Sequence, residues 1–311
     1  MDVILHIGAH RTGSTSFQHF LRDHAGALAR HGIGYWGPGR TRKGLLHGIP
    51  DEPLSAAQAR RGNGRVRLNL QSTAGRGVET LIVSDENMLG TPRCCLRAEE
   101  LYPDAGMRIA RLNAAFAPVR RVVLRVRSLD QWWASVMAFL IPRGASLPDP
   151  SRLKAIAGGA RTWRHVITEL GCACPETEIV VSPFERNSGR PDLMFREVTG
   201  SNWPLSRPVE DLRLNARPTL PHLRRMLEER GEDPGRLPMG TGRWHPFTED
   251  EAARLREAYA DDLFWLRAGA DGLARLTEDP EPAKTAKTLI AGLDKRGYRH
   301  DRAARKLAPT R

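Results

Sequence analysis

The sequence predicts an α/β fold built as three α/β/α layers, with a mostly parallel central sheet and a basic C-terminal tail. Two observations carry this. Short apolar runs of the kind that form buried strands alternate along the chain with longer amphipathic segments. The first of those runs, VILHI, turns through a loop bounded by Gly8 and Gly13 directly into a helix start.

Residues 2–7 form the first expected strand, and 14–30 a helix with Phe17, Phe20, Leu21 and Leu28 on one face, stopped by Gly32 and Gly34. Residues 37–77 are rich in Gly, Arg and Pro with little periodicity, which predicts a long excursion holding only a short helix from Ser55 to Arg61. Further strands are expected at 79–84, at 119–126 just after Pro118, and at 178–182. The helix after the third strand, 119–126, is announced by Ser128 and Gln131 at capping-box spacing, with Asp130 in the first turn and Arg127 at the strand-to-helix corner. Other helices are expected at 99–116, 151–169, 190–198, 219–230 and 248–267. The domain so described runs from residue 1 to 268, and 269–311 form a tail, flexible or partly helical. From Lys284 to Arg311 the tail carries nine Lys or Arg against two Asp, a surplus of seven and more than half of the chain's net charge of +12, and so suits an acidic surface.

A chain of 311 residues with 40% hydrophobic content buries a sizeable core. No apolar run approaches the roughly 18 residues of a membrane span and no basic leader precedes MDVILHI, so a cytoplasmic protein is expected. Cys94, Cys95, Cys172 and Cys174 lack the spacing of a structural zinc site and read as free thiols, with no metal implied. The positive charge favours nucleotides, anionic glycans or other acidic ligands over neutral ones.

The opening loop narrows that choice. Laid over the nucleotide pattern GxxxxGK[ST], the segment Gly8–Thr15 matches at both glycines and at Thr15, while Ser14 takes the lysine position and Arg11 supplies a cation inside the loop. Unpaired N–H groups and the positive end of the helix dipole converge there, which suits a phosphate or sulfate group. The missing lysine weighs against a nucleoside-triphosphate hydrolase or a P-loop small-molecule kinase. In a parallel sheet ligands lie beyond the carboxyl ends of the strands. The second strand runs into SDEN at 84–87, and the third into Arg127, with Ser135 two helical turns past Ser128, so that Arg127 and Ser135 are expected to grip a second phosphate together.

This P-loop-like set, HRTGSTS, then SxEN, then an Arg with a Ser eight positions later, resembles the sulfotransferases that use 3′-phosphoadenosine 5′-phosphosulfate (PAPS), the bacterial branch most closely. The likeness spans residues 1 to about 268. It implies Arg11, Thr12, Gly13, Ser14 and Thr15 around the 5′-phosphosulfate, Arg127 and Ser135 on the 3′-phosphate, and Phe184 of SPFER on the adenine side. It implies Glu86 as the base that takes the acceptor's proton, and Arg11 where the family has a catalytic lysine. Arginine keeps that charge but cannot serve as an acid, so a nucleotide- or polyanion-binding protein with weakened catalysis is the alternative. The acceptor is a hydroxyl or amine, and the many arginines of 37–77 suit an anionic one. His10 and His47 are expected to pack rather than to catalyse, Trp132 and Trp133 to lie in the core, and Asn215 of RLNARP stays outside the expected site.

Overall fold

The computed structural model describes residues 1–53, 55–200 and 212–277; the basic tail from residue 278 onward lies outside the described residues. It is an α/β architecture with one six-stranded, all-parallel sheet flanked by helices. The strands are β1 (Asp2–Gly8), β2 (Ile33–Trp36), β3 (Thr80–Ser84), β4 (Arg121–Val126), β5 (Glu178–Pro183) and β6 (Arg275–Leu276). They lie in the order β2-β3-β1-β4-β5-β6. β1 is therefore central, with Asp2 opposite Thr80 of β3 on one side and Ile4 opposite Arg121 of β4 on the other.

Alternation along the strands creates the three layers. Ile4, Ile82, Val123 and Val180 point to one face and pack under Phe17, Phe20 and Leu21 of the helix Ser14–Asp23 and under Met194, Phe195 and Val198 of the helix Pro191–Thr199. Their neighbours Leu5, Leu81, Val122 and Ile179 point the other way, into a larger core with Ile109, Leu112, Trp132, Val166 and Leu170. Burial on both faces is why these strands appear in the sequence as uninterrupted apolar runs. Trp132 and Trp133 are both in that core, as expected.

Several elements differ from expectation. The helix expected over 14–30 breaks at His24 into Ser14–Asp23 and Ala25–Arg30. The stretch 33–36 is a strand, because Gly34 lets β2 pack so close that a Cβ there would stand 2.9 Å from Val78 Cγ1. The excursion holds a nineteen-residue helix, Ala56–Ala74, capped by Ser55 Oγ, which accepts the Gln58 N–H at 3.2 Å. Only Gly62, Val66 and Thr73 of it are buried, so its apolar stripe is too thin to show as periodicity. The 99–116 helix starts at Ala105, after Glu99 and Tyr102 take positive φ, and Pro92–Ala98 forms a helix of its own. The Gly158–Gly159 pair splits 151–169 into Pro150–Gly158 and Trp163–Ala173. The Ser128 capping box does not form: Ser128 Oγ and Gln131 Nε2 both bond to Asp130, and the Ser128 N–H is taken by Glu185 Oε1 at 2.8 Å. A capping box does form at Thr248 and Glu251, at the head of the helix Glu249–Arg267. The compact unit continues past residue 268 to Thr277, because β6 pairs with β5.

Candidate active site

All strands being parallel, the loops after β1, β3, β4 and β5 emerge on one edge of the sheet, and there they enclose a cavity of about 500 Å³. Arg11, Gly13, Ser14, Thr15, Glu86, Arg127, Ser135 and Phe184 all line it. The two corners expected to hold one nucleotide thus face a single space. Thr12 is the exception. Its side chain is fully buried and its hydroxyl donates to the Ala9 carbonyl at 2.6 Å, so it braces the loop from within.

The loop is clamped on every side. Trp132 Nε1 donates to the His10 carbonyl at 2.9 Å, the His10 N–H donates to the Tyr102 hydroxyl at 2.9 Å, and the Ala9 N–H donates to the Arg125 carbonyl at 3.0 Å. Gly13 sits at the helix cap with φ 89°, a conformation that favours glycine, and the first helical turn of Ser14–Asp23 carries no acid. The dipole of that helix therefore meets no internal counter-charge. Gly8, at φ 93°, is needed for a second reason: a Cβ there would lie 2.8 Å from the Cβ of Glu86. The tight turn out of β1 and the approach of the carboxylate are one requirement.

Glu86 opens a short 3₁₀ turn, Glu86–Leu89, capped by Asp85. Its Oε1 accepts from Arg42 at 2.9 Å and its Oε2 from Gln18 at 2.8 Å, and the side chain is 15% exposed. Burial works to raise its pKa, but His10, Arg42 and the Gln18 bond outweigh that and hold it below the ordinary glutamate value. Glu86 is ionised at neutral pH. Arg42, absent from the sequence-derived set, is in turn fixed by the buried Asp85, whose Oδ1 accepts from it at 2.7 Å. His10 lines the cavity, yet burial lowers its pKa. With Nε2 at 3.0 Å from Asn87 Oδ1 and Nδ1 at 2.9 Å from the Tyr102 hydroxyl, both ring nitrogens have hydrogen-bond partners.

The other corner pairs differently from expectation. Ser135 Oγ accepts from Arg11 Nε at 3.0 Å, not from Arg127; Arg127 instead donates to the Arg11 carbonyl at 2.9 Å and lies 4.7 Å above the Phe184 ring. Arg11 has φ 63° and also donates to the Asn215 carbonyl at 2.8 Å. Asn215 belongs to the site after all, since its Nδ2 donates to Thr15 Oγ1 at 3.2 Å. The cation beside Glu86 is therefore Arg42, while Arg11 reaches toward Ser135.

Charge dominates this space. Among the described residues nine arginines line the cavity and Glu86 is its only carboxylate. Burial, then repulsion from Arg127, Arg143 and Arg217, pulls Arg11 down to about 10. Arg217 is pulled to about 10 by burial and by Arg127 and Arg243, and its Nε and Nη1 are buried without a hydrogen-bond partner. Arg217 and Arg243 arise from stretches with no periodicity, where nothing in the sequence distinguishes them from solvated arginines. Cations that repel one another in a half-buried space are stabilised by an anion placed between them.

Comparison with family models, with curated proteins and with solved structures finds no match to the chain. Among the described residues no helix is long and apolar enough to cross a membrane.

Proposed function

We propose that the chain is a PAPS-dependent sulfotransferase, transferring a sulfuryl group to a hydroxyl or amine of an acceptor. The observation that supports this best is that a phosphate-type loop, a cationic corner at Arg127 and an ionised Glu86 share one cavity lined, among the described residues, by nine arginines and a single acid. The donors fit a nucleotide with two separate anionic ends. The loop N–H groups and the start of the helix Ser14–Asp23 suit the 5′ end, whereas Arg127, Arg11 and Ser135 suit the 3′-phosphate. Phe184, already beneath Arg127, offers a ring to the base.

PAPS supplies an activated sulfuryl group, whose bond to the phosphate oxygen breaks as the bond to the acceptor forms. The protein's part is then position and charge. Arg42 and the loop N–H groups meet the negative charge that builds at the transfer point, and Glu86 accepts the acceptor's proton. Arg11 spans the two ends through its backbone in the loop and its guanidinium at Ser135.

Binding of adenosine 3′,5′-bisphosphate by calorimetry, and radiolabel transfer from PAPS across an acceptor panel, test this. Tight bisphosphate binding with transfer supports it, and no affinity for the bisphosphate refutes it. Binding without transfer to any acceptor would favour the alternative of a nucleotide or polyanion binder, for which Arg11 at the family's lysine position is the specific observation. ATP-dependent labelling of an acceptor, indifferent to PAPS, would favour a kinase.

A further inference from the structure

We propose that Arg125 is a cation buried beneath the phosphate loop, balanced by the anion the loop binds, and that it supplies from the strand below the positive charge missing at position 14. The proposal rests on the reading of the loop as an anion site and gives a specific role to one of the nine arginines that reading counts without assigning.

Arg125 is the penultimate residue of β4, a strand otherwise apolar except at its start, and is only 2% exposed. Its side chain passes under the loop: Nη1 donates to the Thr12 carbonyl at 3.1 Å and would stand 3.4 Å from a Cβ at Gly13. The guanidinium carbon lies 5.5 Å from the centre of the Phe184 ring. Its Nε and Nη2, which form one edge of the guanidinium, have no hydrogen-bond partner, and among the described residues no carboxylate forms an ion pair with it. Arg121, on the same strand and face, is by contrast paired with Glu178 and bonded to the Val198 carbonyl.

A buried cation without a partner is strongly unfavourable, and buried polar groups in native proteins are nearly always satisfied. Packing gives no reason to keep it, since a methionine would fill much of the same volume beside Met194. Glu197 and Glu185 favour the charge only from beyond ion-pair distance, so an anion that comes closer has the larger effect. The nearest opening is the loop itself, where the helix N-terminus already favours an anion and Gly13 leaves no side chain between. In that low-dielectric position a fixed charge acts on the anion with little screening. The lysine of a nucleotide-binding loop reaches over the phosphates from above; here Ser14 stands in its place and Arg125 acts through the loop from below.

The test is calorimetry on the full chain with two probes, adenosine 3′,5′-bisphosphate and inorganic pyrophosphate, together with thermal unfolding of the unliganded protein, for wild type, R125M and R125K. R125M is expected to weaken both probes by about tenfold or more, the scale of a charge-assisted interaction. Its unliganded melting temperature stays equal to wild type or rises, because an unpaired buried charge has gone. R125K, which keeps the charge, restores affinity to within about threefold of wild type. Unchanged affinity in R125M overturns the proposal. So does a loss of affinity that comes with a lower melting temperature or failure to fold, which would make Arg125 a strut for Thr12. A wild type that binds pyrophosphate but not the bisphosphate refutes the nucleotide reading and leaves Arg125 to be judged on pyrophosphate alone.

Discussion

Replacing Arg127 with methionine separates the two ends of the proposed nucleotide site. The substitution keeps length and apolar bulk against Phe184 but removes the charge and the bond to the Arg11 carbonyl at 2.9 Å. A hydrogen bond to a charged partner contributes about 1.5–3 kcal/mol, equivalent to roughly 10- to 150-fold in affinity. The lost bond to Arg11 adds to this, while relief of the repulsion that Arg127 exerts on Arg11 and Arg217 works against it. The expected result is a loss of about ten- to a hundredfold for adenosine 3′,5′-bisphosphate. For adenosine 5′-phosphate, which has nothing at the Arg127 corner, the loss stays within about threefold. S14A weakens both ligands alike, because Ser14 stands at the end they share. Calorimetry at fixed ionic strength measures all four pairs. Equal losses for the two ligands in R127M, or no loss for the bisphosphate, would refute the assignment of the corners.

Four further variants have expected outcomes. E86Q leaves bisphosphate affinity unchanged and lowers turnover by about two orders of magnitude or more, the usual contribution of a positioned base; turnover that survives makes another group the base. Because the Glu86 carboxyl is held below its ordinary value, activity and its share of stability are fully present above the unfolded glutamate pKa and are lost only as pH falls through the depressed one. R42M removes one of the groups holding it there, so the acid limb of the rate profile moves to higher pH, and an unmoved limb contradicts the Arg42 coupling. G8A destabilises by more than about 1 kcal/mol and lowers turnover, because positive φ and contact with Glu86 Cβ act together. A wild-type melting curve for G8A would show that the turn is not strained. T248A costs about 1 kcal/mol through loss of the capping box, read as a fall of about 2–4 °C in melting temperature with binding untouched.

The sequence disclosed the strands better than the helices. β1, β3, β4 and β5 are buried on both faces, so each leaves a run such as TLIVS or VVLRV that no surface helix imitates. β2 hid behind Gly32 and Gly34, which punctuate like a helix stop, and Ala56–Ala74 hid because two glycines and its arginines left so little of it to bury. Of the site, the residues next to strand ends were legible: Arg11, Gly13, Ser14, Thr15, Glu86 and Arg127 come directly from the rule that parallel strands present their carboxyl ends to a ligand, whereas Phe184 was reached only through the resemblance to a family. Arg42, Asn215, Arg217 and Arg243 come from segments whose placement depends on tertiary packing. Asn215 was noticed in RLNARP and left out, and Arg125 left a mark of its own, a charge inside a strand predicted to be buried.

β1 is made before any other strand of the sheet, and its place at the centre means that neither of its neighbours yet exists. Asp2 must wait for Thr80, and Ile4 for Arg121, before a single ladder bond closes on either side. On the ribosome VILHI emerges as an apolar segment with both hydrogen-bonding edges bare, so until β4 has left the exit tunnel it is open to pairing with foreign strands. Assembly is accordingly slow and late for the very loop on which ligand capture depends, and a nascent chain truncated before Val126 has no cradle to offer.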